Sequence, residues 1–233
     1  MKNQYFGDKR DFVKYQLLEW MALGTPGIRQ LTCIWMLTPP TPNNDGNRKF
    51  LVHPGSERVG EFLRDSIESG RRDVRELTRY FAGSSFSYSP YGDNLDQYFT
   101  ASDRRRYFAS IPKALLERAV VFLDPDNGME PQRVVTDSHL RYSELASVFD
   151  RMDDKSIAVV YQHRPRRKAE DFWPEVGSRI GMYLRANTYF LADSEVAFYV
   201  VPKPGRLASL NEALLAFSAS WPSGLRVGGP LPQ

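Results

Sequence analysis

The feature that most constrains this chain is a run of five apolar residues, Ala119-Val120-Val121-Phe122-Leu123, which ends abruptly in Asp124-Pro125-Asp126-Asn127-Gly128. A short unbroken apolar run predicts a strand covered on both faces, as in a parallel sheet flanked by helices. Open sheets of that kind bind their ligands just past the carboxyl ends of the strands. Two carboxylates and a carboxamide stand at that place here. Each of these polar residues also favours turns, so an ordinary turn is the competing reading.

Two more runs read as buried strands. Residues 30–37 continue into Thr38-Pro39-Pro40-Thr41-Pro42-Asn43-Asn44-Asp45-Gly46-Asn47, a stiff polar loop of the functional kind. Residues 156–161 continue into Gln162-His163-Arg164-Pro165-Arg166-Arg167-Lys168. Residues 187–201 read as two strands around Asp193-Ser194, an antiparallel hairpin at the sheet edge. Residues 50–54 read as a short strand and turn.

Between the strands the period changes. Asp8 is the expected N-cap of a first helix with Phe12, Tyr15 and Leu18 along one side, ended by Gly24-Thr25-Pro26-Gly27. Residues 58–81 have a helical pattern broken at Ser69-Gly70, and residues 104–116 a short one. Residues 82–97 are polar and aromatic without a period, either a lid or an insertion. Further helices are expected at 142–152, 168–184 and 207–217. This order predicts one α/β domain over residues 1–233. The expected sheet is doubly wound, mostly parallel and Rossmann-like, with a C-terminal antiparallel hairpin and a helical, arginine-rich insertion at 58–116.

Length and composition agree with that architecture. The chain has 233 residues, enough for one sizeable core. No apolar run approaches the ~18 residues of a membrane span, so no membrane partner is expected. Met1-Lys2-Asn3-Gln4-Tyr5 lacks an apolar signal region, which predicts a cytoplasmic protein. The single cysteine, Cys33, lies in an apolar run and reads as a small buried hydrophobe.

If the three strands are parallel neighbours, their ends converge. Asn43, Asn44 and Asp45 would meet Asp124, Asp126 and Asn127, with Gln162 and His163 beside them. Asp8, Asp11 and Lys14 crowd one end of the first helix and are expected to line the same cleft. Carboxylates, amides and an imidazole in one cleft suit water activation and recognition of a heterocycle. His53 and His139 do not follow a buried strand directly, and each reads as structural. No Cys/His pair has zinc spacing. Asp45, Asp124 and Asp126 are the oxygen ligands available to magnesium, but nothing in their spacing fixes a site, and no metal is expected.

Net charge is only +3, yet the arginines cluster. Arg71, Arg72, Arg75 and Arg79 form one group, Arg104, Arg105 and Arg106 a second, and Arg164, Arg166, Arg167 and Lys168 a third. Aromatic residues are interleaved with them: Tyr80, Phe81, Tyr107, Phe108, Phe172 and Trp173. Guanidinium groups pair with phosphates and aromatic rings stack on bases, so nucleic acid is the expected partner.

Four segments together resemble the large-ribosomal-RNA adenine methyltransferases. They are Tyr5-Phe6-Gly7-Asp8-Lys9-Arg10-Asp11-Phe12-Val13-Lys14-Tyr15, Phe122-Leu123-Asp124-Pro125-Asp126-Asn127, Ala158-Val159-Val160-Tyr161 and Phe198-Tyr199-Val200-Val201-Pro202-Lys203-Pro204. In that family a Gly-Asn-x-x-Asp-x-x-Lys-His segment opens the chain, and a strand ending Asp-Pro-Pro-Tyr holds the adenine amino group. The resemblance implies a methyltransferase-like α/β scaffold. Two departures alter the implied chemistry. Prolines occupy the place of the glycine-rich loop that binds S-adenosylmethionine. Asp126 and Asn127 replace the second proline and the tyrosine that stacks on the flipped base.

The expectation is therefore a base-processing enzyme that uses base flipping but no cofactor, a hydrolase of the DNA glycosylase type. DNA is favoured over RNA, and defence against foreign DNA would suit it. Asp124 or Asp126 would activate water, Asn127 and Asn44 would read the base, and His163 would stabilise developing charge. Arg71, Arg75, Arg104–Arg106, Arg164, Arg166 and Arg167 would hold the backbone. The alternatives are an S-adenosylmethionine-dependent adenine methyltransferase of DNA or RNA, a non-catalytic nucleic-acid-binding protein and, more weakly, a metal-dependent nuclease.

Overall fold

A computed structural model describes residues 1–41, 50–52, 54–94, 98–221 and 224–231, with the backbone alone at 207–209. Seven strands are described: β1 Gln30–Trp35, β2 Ser87–Tyr91, β3 Ala119–Asp124, β4 Ile157–His163, β5 Thr188–Ala192, β6 Val196–Pro202 and β7 Arg226–Leu231. They form one mixed sheet in the order β2-β1-β3-β4-β6-β5-β7. β1 to β4 run parallel. β6 is antiparallel to both β4 and β5, and β7 is antiparallel to β5.

The helices are α1 Lys9–Gly24, α2 Glu57–Glu68, α3 Glu76–Tyr80, α4 Arg104–Ala109, α5 Tyr142–Arg151, α6 Ala169–Leu184 and α7 Leu207–Ser220. They cover both faces of the sheet. Val120 and Phe122 join Leu18 of α1, Leu63 of α2 and Leu214 of α7 in one core. Val121 and Leu123 join Phe108 of α4, Val148 of α5 and Ile180 of α6 in the other. Successive strand residues point to opposite faces, so a strand with a core on each side must be apolar throughout. That requirement explains the unbroken run at 119–123.

α1 begins where its cap dictates. The Asp8 carboxylate accepts from the backbone N–H groups of Arg10 (2.8 Å) and Asp11 (3.1 Å), two of the first-turn donors that lack helical partners. The helix stops before Thr25-Pro26, since the residue ahead of a proline leaves helical geometry.

Four expectations are corrected. The β5–β6 hairpin is not at the edge: β6 pairs with β4, and β7 adds outside β5. β7 reads as Arg-Val-Gly-Gly-Pro-Leu, and only an edge strand tolerates that proline. The segment 58–116 is not wholly helical, because it contributes β2, which pairs with β1. The helix expected over 104–116 ends at Ala109, and a 3₁₀ turn, Lys113–Leu116, follows Pro112. Residues 50–52 form no strand, and His53 lies outside the described residues. No described helix is long and apolar enough to cross a membrane.

The strand order sets where successive connections part. From β1 the chain passes to β2 on one side and then returns to β3 on the other. The neighbouring connections therefore diverge between β1 and β3 at their carboxyl ends, where buried Met1 packs with its amine donating to the Met36 carbonyl. Trp35 and Asp124 stand opposite each other there.

Candidate active site

At the carboxyl end of β3 lies a buried charge cluster. Lys14 Nζ of α1 donates to Asp11 Oδ1 at 2.8 Å and to Asp124 Oδ2 at 2.9 Å. All three side chains are at most 2% exposed. Asp11 Oδ2 accepts from the Gly7 N–H at 3.1 Å and the Tyr15 hydroxyl at 3.2 Å. Lys14 also sits 4.6 Å from the centre of the Tyr161 ring. Burial works against a charged lysine, but Asp11 and Asp124 overcome it and hold Lys14 protonated, well above its ordinary range. One lysine faces two carboxylates, and the Met1 amine also acts on Asp124. Burial, only partly offset by Lys14, raises the pKa of both acids. Asp124 Oδ1 has no hydrogen-bond partner among the described residues and borders a cavity of about 20 Å³.

Above this cluster a cleft of about 1050 Å³ opens past the ends of β3 and β4. Asp126, Asn127, Gln162, His163 and Asp8 line it. The structure thus gathers five of the expected residues in one place. Asp11, Lys14 and Asp124 border only the small cavity beneath. Asn43, Asn44 and Asp45 lie outside the described residues. Among those described, no three His, Cys, Asp or Glu side chains group as a metal site.

Asp126 accepts from the Thr38 hydroxyl at 2.9 Å, just past β1. Its oxygens lie 3.4 Å from Lys2 Nζ and 3.5 Å from the Met1 amine. Burial pushes Asp126 up, but the amine, Thr38 and Lys2 together bring it below the ordinary carboxylate range. It is ionised at neutral pH. His163 behaves oppositely. Burial first, then the Arg10 and Lys14 charges, lower it to about 3, so its imidazole is neutral.

Gln162 holds the turn after β3. Its Oε1 accepts from the Met129 N–H at 2.6 Å, and its Nε2 donates to the His163 carbonyl at 2.7 Å. Gly128 has φ +80°, and a Cβ there would run into the Gln162 amide. This packing presents Asn127 to solvent at the cleft.

Six cations line the cleft, Lys2, Arg10, Arg133, Arg164, Arg167 and Arg179, together with four carboxylates, Asp8, Asp126, Glu130 and Glu175. Of the cations, sequence reasoning identified only Arg164 and Arg167. The other four come from separate segments, and only the fold brings them together. Some are tethered: Arg167 to Glu175 at 2.5 Å, Arg10 to Glu195 at 3.6 Å, and Arg164 to the Ser194 and Arg167 carbonyls. Arg166 is exposed but does not line the cleft.

The other two clusters lie elsewhere. Arg104 is buried, with its guanidinium on Glu144 (2.6 and 2.7 Å) and on the carbonyls of Asp137 and His139. Arg105 borders a separate groove of about 450 Å³, and Arg106 is exposed. Arg71 pairs with Asp65 and Glu76, and Arg75 with Asp73, in a network around the loop between α2 and α3.

No family model matches the chain, and no curated protein matches it. Among solved structures, the crystal structure of protein LPL1258 from Legionella pneumophila strain Philadelphia 1, of the DUF519 family, is similar at a TM-score of 0.40. The likeness covers 96% of each chain at 10% identity, too distant to carry an argument.

Proposed function

We propose that this chain is a base-processing enzyme of nucleic acid, a hydrolase of the DNA N-glycosylase type that takes an extruded base into the cleft past β3 and β4. One observation carries the reading: ionised Asp126, exposed Asn127 and neutral His163 share a cleft whose walls hold six cations. A cleft of about 1050 Å³ accommodates a nucleotide. The arginines pair with flanking phosphates.

The roles follow from the geometry. Asp126 orients a water and, as an anion, stabilises the cationic sugar that forms when the base–sugar bond breaks. The water's oxygen bonds to the sugar carbon, and a proton passes to the departing base. Asn127 offers a donor and an acceptor to a base edge. His163, uncharged, donates an N–H without repelling an incoming cation. Asp124 supports the site through Lys14 and does not reach the base. We read the scaffold as Rossmann-like, with its switch point between β1 and β3, beside the cleft.

Adenine methyl transfer is the second reading. The Lys14–Asp124 contact favours it, since it joins two of the four segments that carry the methyltransferase resemblance. S-adenosylmethionine fits poorly, however. Pro39 and Pro40 offer no N–H where that family's glycine-rich loop binds the donor, and Lys14 occupies Asp124.

The test is mass spectrometry of products from plain and modified DNA. Wild-type protein is expected to release free base, and Asp126→Asn to lose at least ~100-fold in rate. A mass gain of one methyl group, dependent on S-adenosylmethionine, would replace this reading with the second. Binding without either product would make the chain a non-catalytic binder.

A further inference from the structure

The loop joining β3 to α5 is closed tightly at its stem. The Asn127 N–H donates to the Ser138 carbonyl at 3.0 Å, Leu140 N–H to Gly128 at 2.9 Å, and Glu130 N–H to Leu140 at 2.8 Å. Buried Arg104 clamps the returning strand of the loop through the carbonyls of Asp137 (2.6 Å) and His139 (2.7 Å). His139 Nδ1 accepts from the Thr136 N–H at 3.1 Å and pins the last turn. The tip between these anchors runs Pro131-Gln132-Arg133-Val134-Val135. Gln132 and Arg133 line the cleft. Val134, the next residue, is 70% exposed, and Val135 is 43% exposed. Among the described residues, no other exposed large apolar side chain follows directly on a cleft-lining residue.

An exposed apolar tip, held at its stem, beside a cleft with an excess of cations has a specific use on DNA. Extruding a base leaves a gap in the stack, and proteins that distort duplexes fill or open such gaps with apolar side chains. We propose that Val134 and Val135 are a wedge that enters a DNA duplex and occupies the space of the base drawn into the cleft. This rests on the base-processing reading. It also gives Arg104 a positioning role, bracing the loop rather than binding phosphate. Arg133 beside the tip, and the excess of six cations over four carboxylates along the cleft, supply the charge complementarity that commits the partner to DNA.

The test uses a duplex carrying 2-aminopurine, whose fluorescence rises when it is unstacked. The wild-type chain is expected to bind and raise the signal. The double variant Val134→Ser, Val135→Ser, two surface changes, is expected, at saturating protein, to bind and to lose the rise. On a duplex whose reporter is already unpaired, the two proteins should give the same signal. An undiminished rise with the double variant overturns the wedge and leaves the base-processing reading standing. Wild-type binding without a rise also overturns the wedge. Failure of the wild type to bind DNA overturns both.

Discussion

Lys14 shows how one buried cation can organise a strand end. Lys14→Met keeps the volume but leaves Asp11 and Asp124 without their cation, at most 2% exposed. The expected cost is about 3–5 kcal/mol, read by urea unfolding. His163 carries a pH signature. Unfolded, its imidazole titrates near 6.5, but in the fold only near 3. As pH falls, the unfolded state takes up the proton first. Stability present above pH 6.5 is thus lost between about 6.5 and 3, by up to ~1.4 kcal/mol per pH unit. Asp126, lowered, loses stability in the same direction at still more acid pH, whereas raised Asp11 and Asp124 have the opposite sign. The His163 contribution is read as the difference between wild type and His163→Asn, whose stability should fall less steeply over that window. Asp126, Asn127, Gln162 and His163 were legible in the sequence because each directly follows or ends a buried strand. The capture of Asp124 by Lys14 was not, because it joins residues 110 positions apart.

The central elements follow from hydrophobic pattern, and the sheet edges do not. β1, β3, β4 and the β5–β6 pair are buried along nearly their whole lengths, so their apolar runs announce them. β2 and β7 are edges, half exposed, and each contains a proline. Neither has a buried face strong enough to impose a period. The turn after β3 is the most sensitive connection. Gly128→Ala places a side chain at φ +80° against Gln162, which holds Met129 and the His163 carbonyl. The expected loss is about 2 kcal/mol from the left-handed backbone and the displaced amide, measured by thermal unfolding.

Across the whole molecule, charge is placed unevenly despite a net of only +3. The arginines between α2 and α3 meet carboxylates of that same region, while six cations from five segments line one cleft. Arg164→Ala with Arg167→Ala should weaken DNA binding and reduce its salt slope by about 2, whereas Arg71→Ala with Arg75→Ala should leave both nearly unchanged. Filter binding across a salt series reads the difference. The most direct measurement is photo-cross-linking of the full chain to DNA bearing 5-iododeoxyuridine, with the attached peptides mapped by mass spectrometry. The cleft assignment predicts attachment within residues 126–133 and 162–167. Cross-links confined to residues 71–79 and 104–106 would contradict it.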